Sequence, residues 1–176
     1  MDPFVSDMKK IRERAKQHIE KGAVTQGYQA DAEQVCKVLN DALATELVCV
    51  LRYKAHYYAA SGLNSEGVKA EFLQHANDEQ GHADQLSERI TQLNGTPNLD
   101  PDGLASRSHS QYETSDDLAT MVKEDLIAER IAIDSYGDII RWLSDKDPTS
   151  RRLMESILEK EEEHANDMHD LLSRFK

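Results

Sequence analysis

Four stretches of the chain place apolar residues at alternating spacings of three and four, and each stripe carries a glutamate near its middle. Such spacing marks one face of an α-helix, so a chain that buries the stripe must bury the acid with it. The first stripe is Val35, Leu39, Ala42, Glu46, Val50, Tyr53 and Tyr57, within residues 31–60. The second, within residues 65–93, is Val68, Phe72, His75, Glu79, His82, Leu86 and Leu93. The third is Leu118, Val122, Asp125, Glu129, Ala132, Tyr136, Ile139 and Leu143, and the fourth is Leu153, Ile157, Glu161, His164, Met168 and Leu171. With eight glycines and four prolines in 176 residues, the chain has too few turn residues for a β-rich fold.

Punctuation between the stripes sets the connectivity. Ser61-Gly62-Leu63-Asn64 is short enough for a helix hairpin, which makes the first two helices antiparallel neighbours. From residue 94 to 115 the periodicity fails. There Asn94-Gly95-Thr96-Pro97 and Asp100-Pro101-Asp102-Gly103 make a connection that can run the length of a bundle, with one helical turn expected near residues 101–106. Ser115 is the expected cap of the third helix, and Pro148 suits the first turn of the fourth. Short hairpin, long crossover, short hairpin is the connectivity of the crossover type of four-helix bundle. The expected organisation is therefore all-α: one bundle over residues 31–176, preceded by a partly helical N-terminal arm, residues 1–30.

Burying an unpaired carboxylate costs several kcal/mol, so four buried acids need protons, cationic partners or metal. Two divalent cations would cancel four glutamate charges. Two of the acids begin Glu-x-x-His pairs, Glu79 with His82 and Glu161 with His164, and a three-residue helical step puts both side chains on one face. In an acid-rich chain such pairs say little alone; their placement says more. Glu46 precedes Glu79 by 33 residues and Glu129 precedes Glu161 by 32, so one helix hairpin, a lone Glu followed by Glu-x-x-His, occurs twice.

Tyr53 follows Glu46 by seven residues, and Tyr136 follows Glu129 by seven. Two helical turns on, each is placed to hydrogen-bond a carboxylate of the other hairpin; an ordinary core aromatic is the competing assignment. Asp125, one turn before Glu129, is placed to take the free ring N–H of a ligating histidine, with a surface acid as the alternative. His18, His109 and His169 fall at termini or in the crossover, His56 is off the stripe, and His75, one turn before Glu79, reads first as a satisfied core histidine, with a place near an entry path as the alternative. Cys36 and Cys49, thirteen residues apart on one helix, point to nearly opposite sides and read as two buried thiols without a disulfide.

The formal charge of −12 argues against general nucleic-acid binding and suits a cationic partner. Residues 9–16 are the local exception, with five basic side chains against one acid, and read first as a solvated helix face. No apolar run is long enough to cross a bilayer and the N-terminus has no apolar signal core, so a cytoplasmic location is expected, with no membrane partner.

The segments Leu39-Asn40, Thr45-Glu46-Leu47, Asp78-Glu79-Gln80-Gly81-His82-Ala83-Asp84, Asp125-Leu126-Ile127-Ala128-Glu129 and Glu161-Glu162-Glu163-His164 resemble the ferritin superfamily. They are most similar to bacterioferritins and to Dps-like proteins with a bacterioferritin-type di-iron centre, and the resemblance covers residues 31–174. It implies a ferritin-like bundle binding two iron ions per subunit, bridged by Glu79 and Glu161, with Glu46, His82, Glu129 and His164 as terminal ligands. It also implies a ferroxidase that oxidises Fe(II) with O2 or H2O2 and stores ferric mineral in an oligomeric cage. Gln80 stands where a haem-binding methionine would be, so no haem is expected. Only twelve residues follow His164, which favours a dodecamer over a 24-mer. The alternatives are a di-metal peroxidase or oxidase that stores nothing, and a Dps-like DNA-protecting protein using the basic arm. DNA is the disfavoured partner, because all four helices supply the site within one chain.

Overall fold

The computed structural model describes residues 4–62 and 65–175. Leu63 and Asn64, part of the break read between the first two long helices, lie outside the described residues. The described chain is helical throughout: α1 (Met8–Ala15), α2 (Ala32–Ala59), α3 (Ser65–Gln92), α4 (Leu104–Arg107), α5 (Leu118–Leu143) and α6 (Pro148–Ser173). Helices α2 and α3 pack along their length as one hairpin, and α5 and α6 as the other. The crossover between the hairpins contains α4, which lies against α2, and it begins where the sequence loses its period.

Helices α2, α5 and α6 each start where a side chain satisfies free N–H groups. Asp31 accepts from the backbone N–H of Glu33 and Gln34 at the head of α2, and Asp147 accepts from Ser150 at the head of α6, with Pro148 in the first turn. At α5 the cap is Asp117, which accepts from Thr120 N–H at 2.9 Å, and not Ser115. Ser115 Oγ instead accepts from Asp117 N–H, so it shapes the turn that presents the cap. After α3 the chain turns through Asn94 with φ of 64°, and Gly95 follows so closely on Cys36 that a Cβ there would meet Sγ at 2.6 Å. Only glycine lets the crossover leave along that surface.

The core is split in two along the bundle axis. One cluster holds Leu39, Leu43, Leu86, Ile90, Tyr136, Met154 and Ile157, and the other holds Tyr53, Phe72, Met121, Val122, Met168 and Leu171. On every long helix the acidic position falls between its contributions to the two clusters. Met154 is fully buried where Leu153 was expected, and Leu153 packs partly buried beside it. Val24, Tyr28 and Ala30 of the N-terminal region pack onto the first cluster, while α1 buries no residue. Both cysteines are free and buried, and no helix among the described residues is long and apolar enough to cross a membrane.

Candidate metal centre

Glu46, Glu79, Glu129 and Glu161 converge at mid-bundle, each at most 1% exposed, with His82 and His164 beside them. Their ligand atoms form two sets, each within a 4.8 Å span: Glu46, Glu79, His82 and Glu161, and Glu79, Glu129, Glu161 and His164. Glu79 and Glu161 belong to both. The structure thus brings all six predicted side chains together, in two overlapping groups of four that share the acids of the Glu-x-x-His pairs.

The contacts within this cluster are those of a site shaped for cations. His82 Nδ1 faces Glu161 Oε1 at 3.0 Å, Glu46 Oε2 at 3.2 Å and Glu79 Oε2 at 3.2 Å. One ring nitrogen carries at most one proton and cannot satisfy three carboxylate oxygens, whereas a metal ion among them would satisfy all four atoms. His164 Nδ1 lies 3.2 Å from Glu79 Oε1 and 3.7 Å from Glu161 Oε2. Glu129 Oε2 is buried without a hydrogen-bond partner, and Glu161 Oε1, close to His82 Nδ1 but not in line for a hydrogen bond with it, is unsatisfied too, which a native core avoids unless another group completes them. The donor set, oxygen with two imidazole nitrogens, fits divalent first-row metal ions.

Protonation compensates in part for the crowding. Burial, with the charges of Glu161 and Glu79, raises the Glu46 carboxyl well above its usual range. Burial, with Glu79 and Glu161, does the same to Glu129. Burial also works on Glu79, but hydrogen bonds from Glu46, His164 and His82 outweigh it and leave that carboxyl below its ordinary value. Burial opposes charge on both histidines, yet their carboxylate partners win: His82 is raised strongly and His164 to about 10. These shifts favour the protonated forms of Glu46, Glu129, His82 and His164, so protons compete with a metal for the same atoms.

The surrounding shell orients these groups. Tyr53 donates to Glu129 Oε1 and Tyr136 donates to Glu46 Oε1, each tyrosine serving the opposite hairpin. His164 turns its other nitrogen, Nε2, towards Asp78 Oδ2 at 3.3 Å, a partner that the sequence pattern did not single out. Asp125 requires a correction, since it holds no ligating histidine. Its oxygens bind Arg52 Nε and His56 Nδ1, both at 2.9 Å, because its helical turn faces α2 beyond the acids. His56, read as off the stripe, and Arg52, which the sequence pattern did not single out, are each 1% exposed. Asp125, a buried acid from the other hairpin, gives the Arg52 guanidinium and the His56 ring the partner that their burial requires. His75 is buried too, with its ring stacked on His164 at a centroid distance of 3.9 Å.

A four-helix bundle with four buried carboxylates and two histidines, arranged as a duplicated hairpin, has the architecture of the ferritin-like helix bundles. The chain belongs to the ferritin family: the family model described as "Ferritin-like domain" matches residues 36–176. The bacterioferritin-related dodecameric thioferritin of Bacteroides fragilis superposes with a TM-score of 0.80 at 30% identity, covering 84% of this chain and 89% of that one. The bacterioferritin of Desulfovibrio desulfuricans, solved with its diiron site in different catalytic states, gives a TM-score of 0.72 at 25% identity over 81% and 80% of the two chains. A nutrient stress-induced DNA-binding protein of Synechococcus is 30% identical over 135 residues, 75% of this chain and 77% of its own.

Proposed function

We propose that the protein is an iron-storing ferroxidase, which takes Fe(II) as substrate and oxidises it with O2 or H2O2 at a two-iron centre within each subunit. The observation that carries this reading is the pair of four-ligand groups sharing Glu79 and Glu161. Glu79 and Glu161, shared by both groups, would hold both ions, with Glu46 and His82 completing one position and Glu129 and His164 the other. Bound iron supplies the electrons; carboxylate oxygens favour the ferric state, and six ligands for two ions leave coordination positions open to the oxidant. The protein's own part is to hold Glu46 and Glu129 by the tyrosine hydroxyls, to fix His164 through Asp78, and to exclude bulk water with the apolar clusters on either side.

Storage as ferric mineral in a homo-oligomeric cage of twelve subunits is part of the same proposal, supported by the likeness to the dodecameric Bacteroides fragilis protein. So are a cytoplasmic location, the division into an arm of residues 1–30 and a bundle of residues 31–176, and operation without haem. Anaerobic loading with Fe(II) followed by oxygen should produce ferric absorbance that continues past two ions per subunit, and Glu79→Ala should abolish the fast phase. Peroxide turnover by a small oligomer that accumulates no iron would favour the non-storing enzyme, and equal behaviour of wild type and variant would remove the ferroxidase.

A further inference from the structure

The two hairpins repeat each other at the centre, but they part on one side of it. Eight and four residues before Glu161 stand Leu153 and Ile157, while the same steps before Glu79 reach Glu71 and His75. Three residues after His82 stands Gln85, while three after His164 stands Asp167. The substitutions that break the repeat thus put two acids and a histidine where the other half has two aliphatic residues and an amide, and the fold gathers all three into one cluster of possible ligands.

His75 is the decisive member. It is 0% exposed, and its Nδ1 lies 3.1 Å from the Tyr53 hydroxyl. Tyr53 has one proton and donates it to Glu129, so its oxygen accepts and His75 Nδ1 is the protonated nitrogen. Nε2 is then a bare lone pair. It has no hydrogen-bond partner, and it points at Asp167 Oδ2, 3.5 Å away, and at Glu71 Oε2, 4.0 Å away. A lone pair facing two carboxylates is repulsive, and a cation between them turns that repulsion into attraction. Lys160, the nearby ammonium, is engaged by Glu163.

Glu71 and Asp167 are 39% and 42% exposed, and Glu71 also lines a cavity of about 370 Å3 formed with Gly67, Val68, Leu171, Arg174 and Phe175. His75 thus has water-reachable acids on one side and, on the other, the ring of His164 and the Tyr53–Glu129 hydrogen bond.

We propose that Glu71, His75 and Asp167 form a third, mononuclear site that captures a hydrated divalent transition-metal ion at the surface and passes it to the two-metal centre. One nitrogen and two carboxylates leave room for several waters, as a transit site needs, and suit Fe(II), Co(II), Zn(II) or Mn(II). The passing-on rests on the two-metal reading above; the binding does not.

The test uses the assembled full-length protein and Co(II), which binds such donors without being oxidised by air. Anomalous diffraction from Co(II)-soaked crystals should show density among Glu71, His75 and Asp167, separate from density among the six central ligands. In the double variant Glu71→Gln/Asp167→Asn, whose changes fall on partly exposed groups, the third density should vanish while the central density remains. Stopped-flow absorbance should then show the centre filling about tenfold more slowly, to the same end point, as expected when a focusing negative charge is removed. A filled centre with no third density would overturn this inference alone, and unchanged filling kinetics in the double variant would overturn the transfer. A third density with an empty centre would support the site and count against the two-metal reading.

Discussion

His82 Nδ1, set among three carboxylate oxygens at 3.0 to 3.2 Å, shows how the centre is tuned one residue at a time. Glu46 and Glu129 are raised by burial and by their acidic neighbours, and His82 and His164 are raised by the carboxylates they face. Each of these shifts favours the protonated form, so protons compete with a metal for the four groups and lowering the pH should weaken metal binding. Calorimetric Zn(II) titrations in buffers of different ionisation enthalpy should report net proton release, and affinity should fall steadily from pH 8 to pH 6. A pH-independent affinity with no proton release would contradict this charge state. The tyrosines act at the same scale. Tyr136→Phe removes the donor to Glu46, frees that ligand to rotate, and should weaken binding by about tenfold with little effect on folding, since the ring stays in the core. Tyr53→Phe should do the same at Glu129. Equal Zn(II) affinity in wild type and both variants would reduce the hydroxyls to core decoration.

At the scale of elements, α3 and α6 are tied at one end by a buried network that owes nothing to the metal. Asp147 caps α6, receives Arg89 at 3.0 Å and 3.2 Å, and accepts from Tyr28 at 2.7 Å, so one carboxylate joins the helix head, α3 and the N-terminal region. Asp147→Ala removes the cap and strands a nearly buried guanidinium, and should cost about 3 kcal/mol in denaturant unfolding of the metal-free protein. Burial opposes its charge, but hydrogen bonds from Ser150 and Tyr28 and the charge of Arg89 hold the folded carboxyl below its ordinary value. A depressed acid contributes stability above its unfolded pKa, near ~4, and loses it as pH falls through the folded value. The wild type should therefore lose stability below about pH 4 more steeply than Asp147→Asn, as followed by thermal melts of metal-free protein. Parallel acid limbs would contradict the assignment. The helices themselves were largely legible, because a three-and-four stripe and a Pro after an Asp are local signals. The α5 cap was not: Ser115 and Asp117 are both good capping residues, and which one sits at the first turn depends on how the crossover arrives.

For the whole molecule, the likeness to a dodecameric relative and the proposed storage role lead to one measurement: native mass with metal content. Particles of twelve chains that retain many iron atoms per subunit after aerobic loading are expected, and a monomer or dimer would remove the cage. The net charge of −12 and the basic α1, which buries no residue, give opposite signs for DNA. Deleting residues 1–16, which removes the basic α1 but keeps Val24, Tyr28 and Ala30 on the core, should leave iron loading intact, and DNA retention at low salt that vanishes with those residues would revive the DNA-protecting alternative.

What the amino-acid order determined by itself was whatever a single helix can carry: the four stripes, the acid in the middle of each, the Glu-x-x-His spacing and its duplication, hence the six residues that meet at the centre. Periodicity is a property of neighbours along the chain, and burial of the stripe follows from it. What only the tertiary structure decided was who stands opposite whom. Asp125 faces Arg52 and His56 instead of a ligating histidine, Asp78 takes the far nitrogen of His164, and His75 aims an unpaired nitrogen at Glu71 and Asp167. Those pairings depend on the rotation and height of one helix against another, set by the packing of the whole core and not by any local spacing.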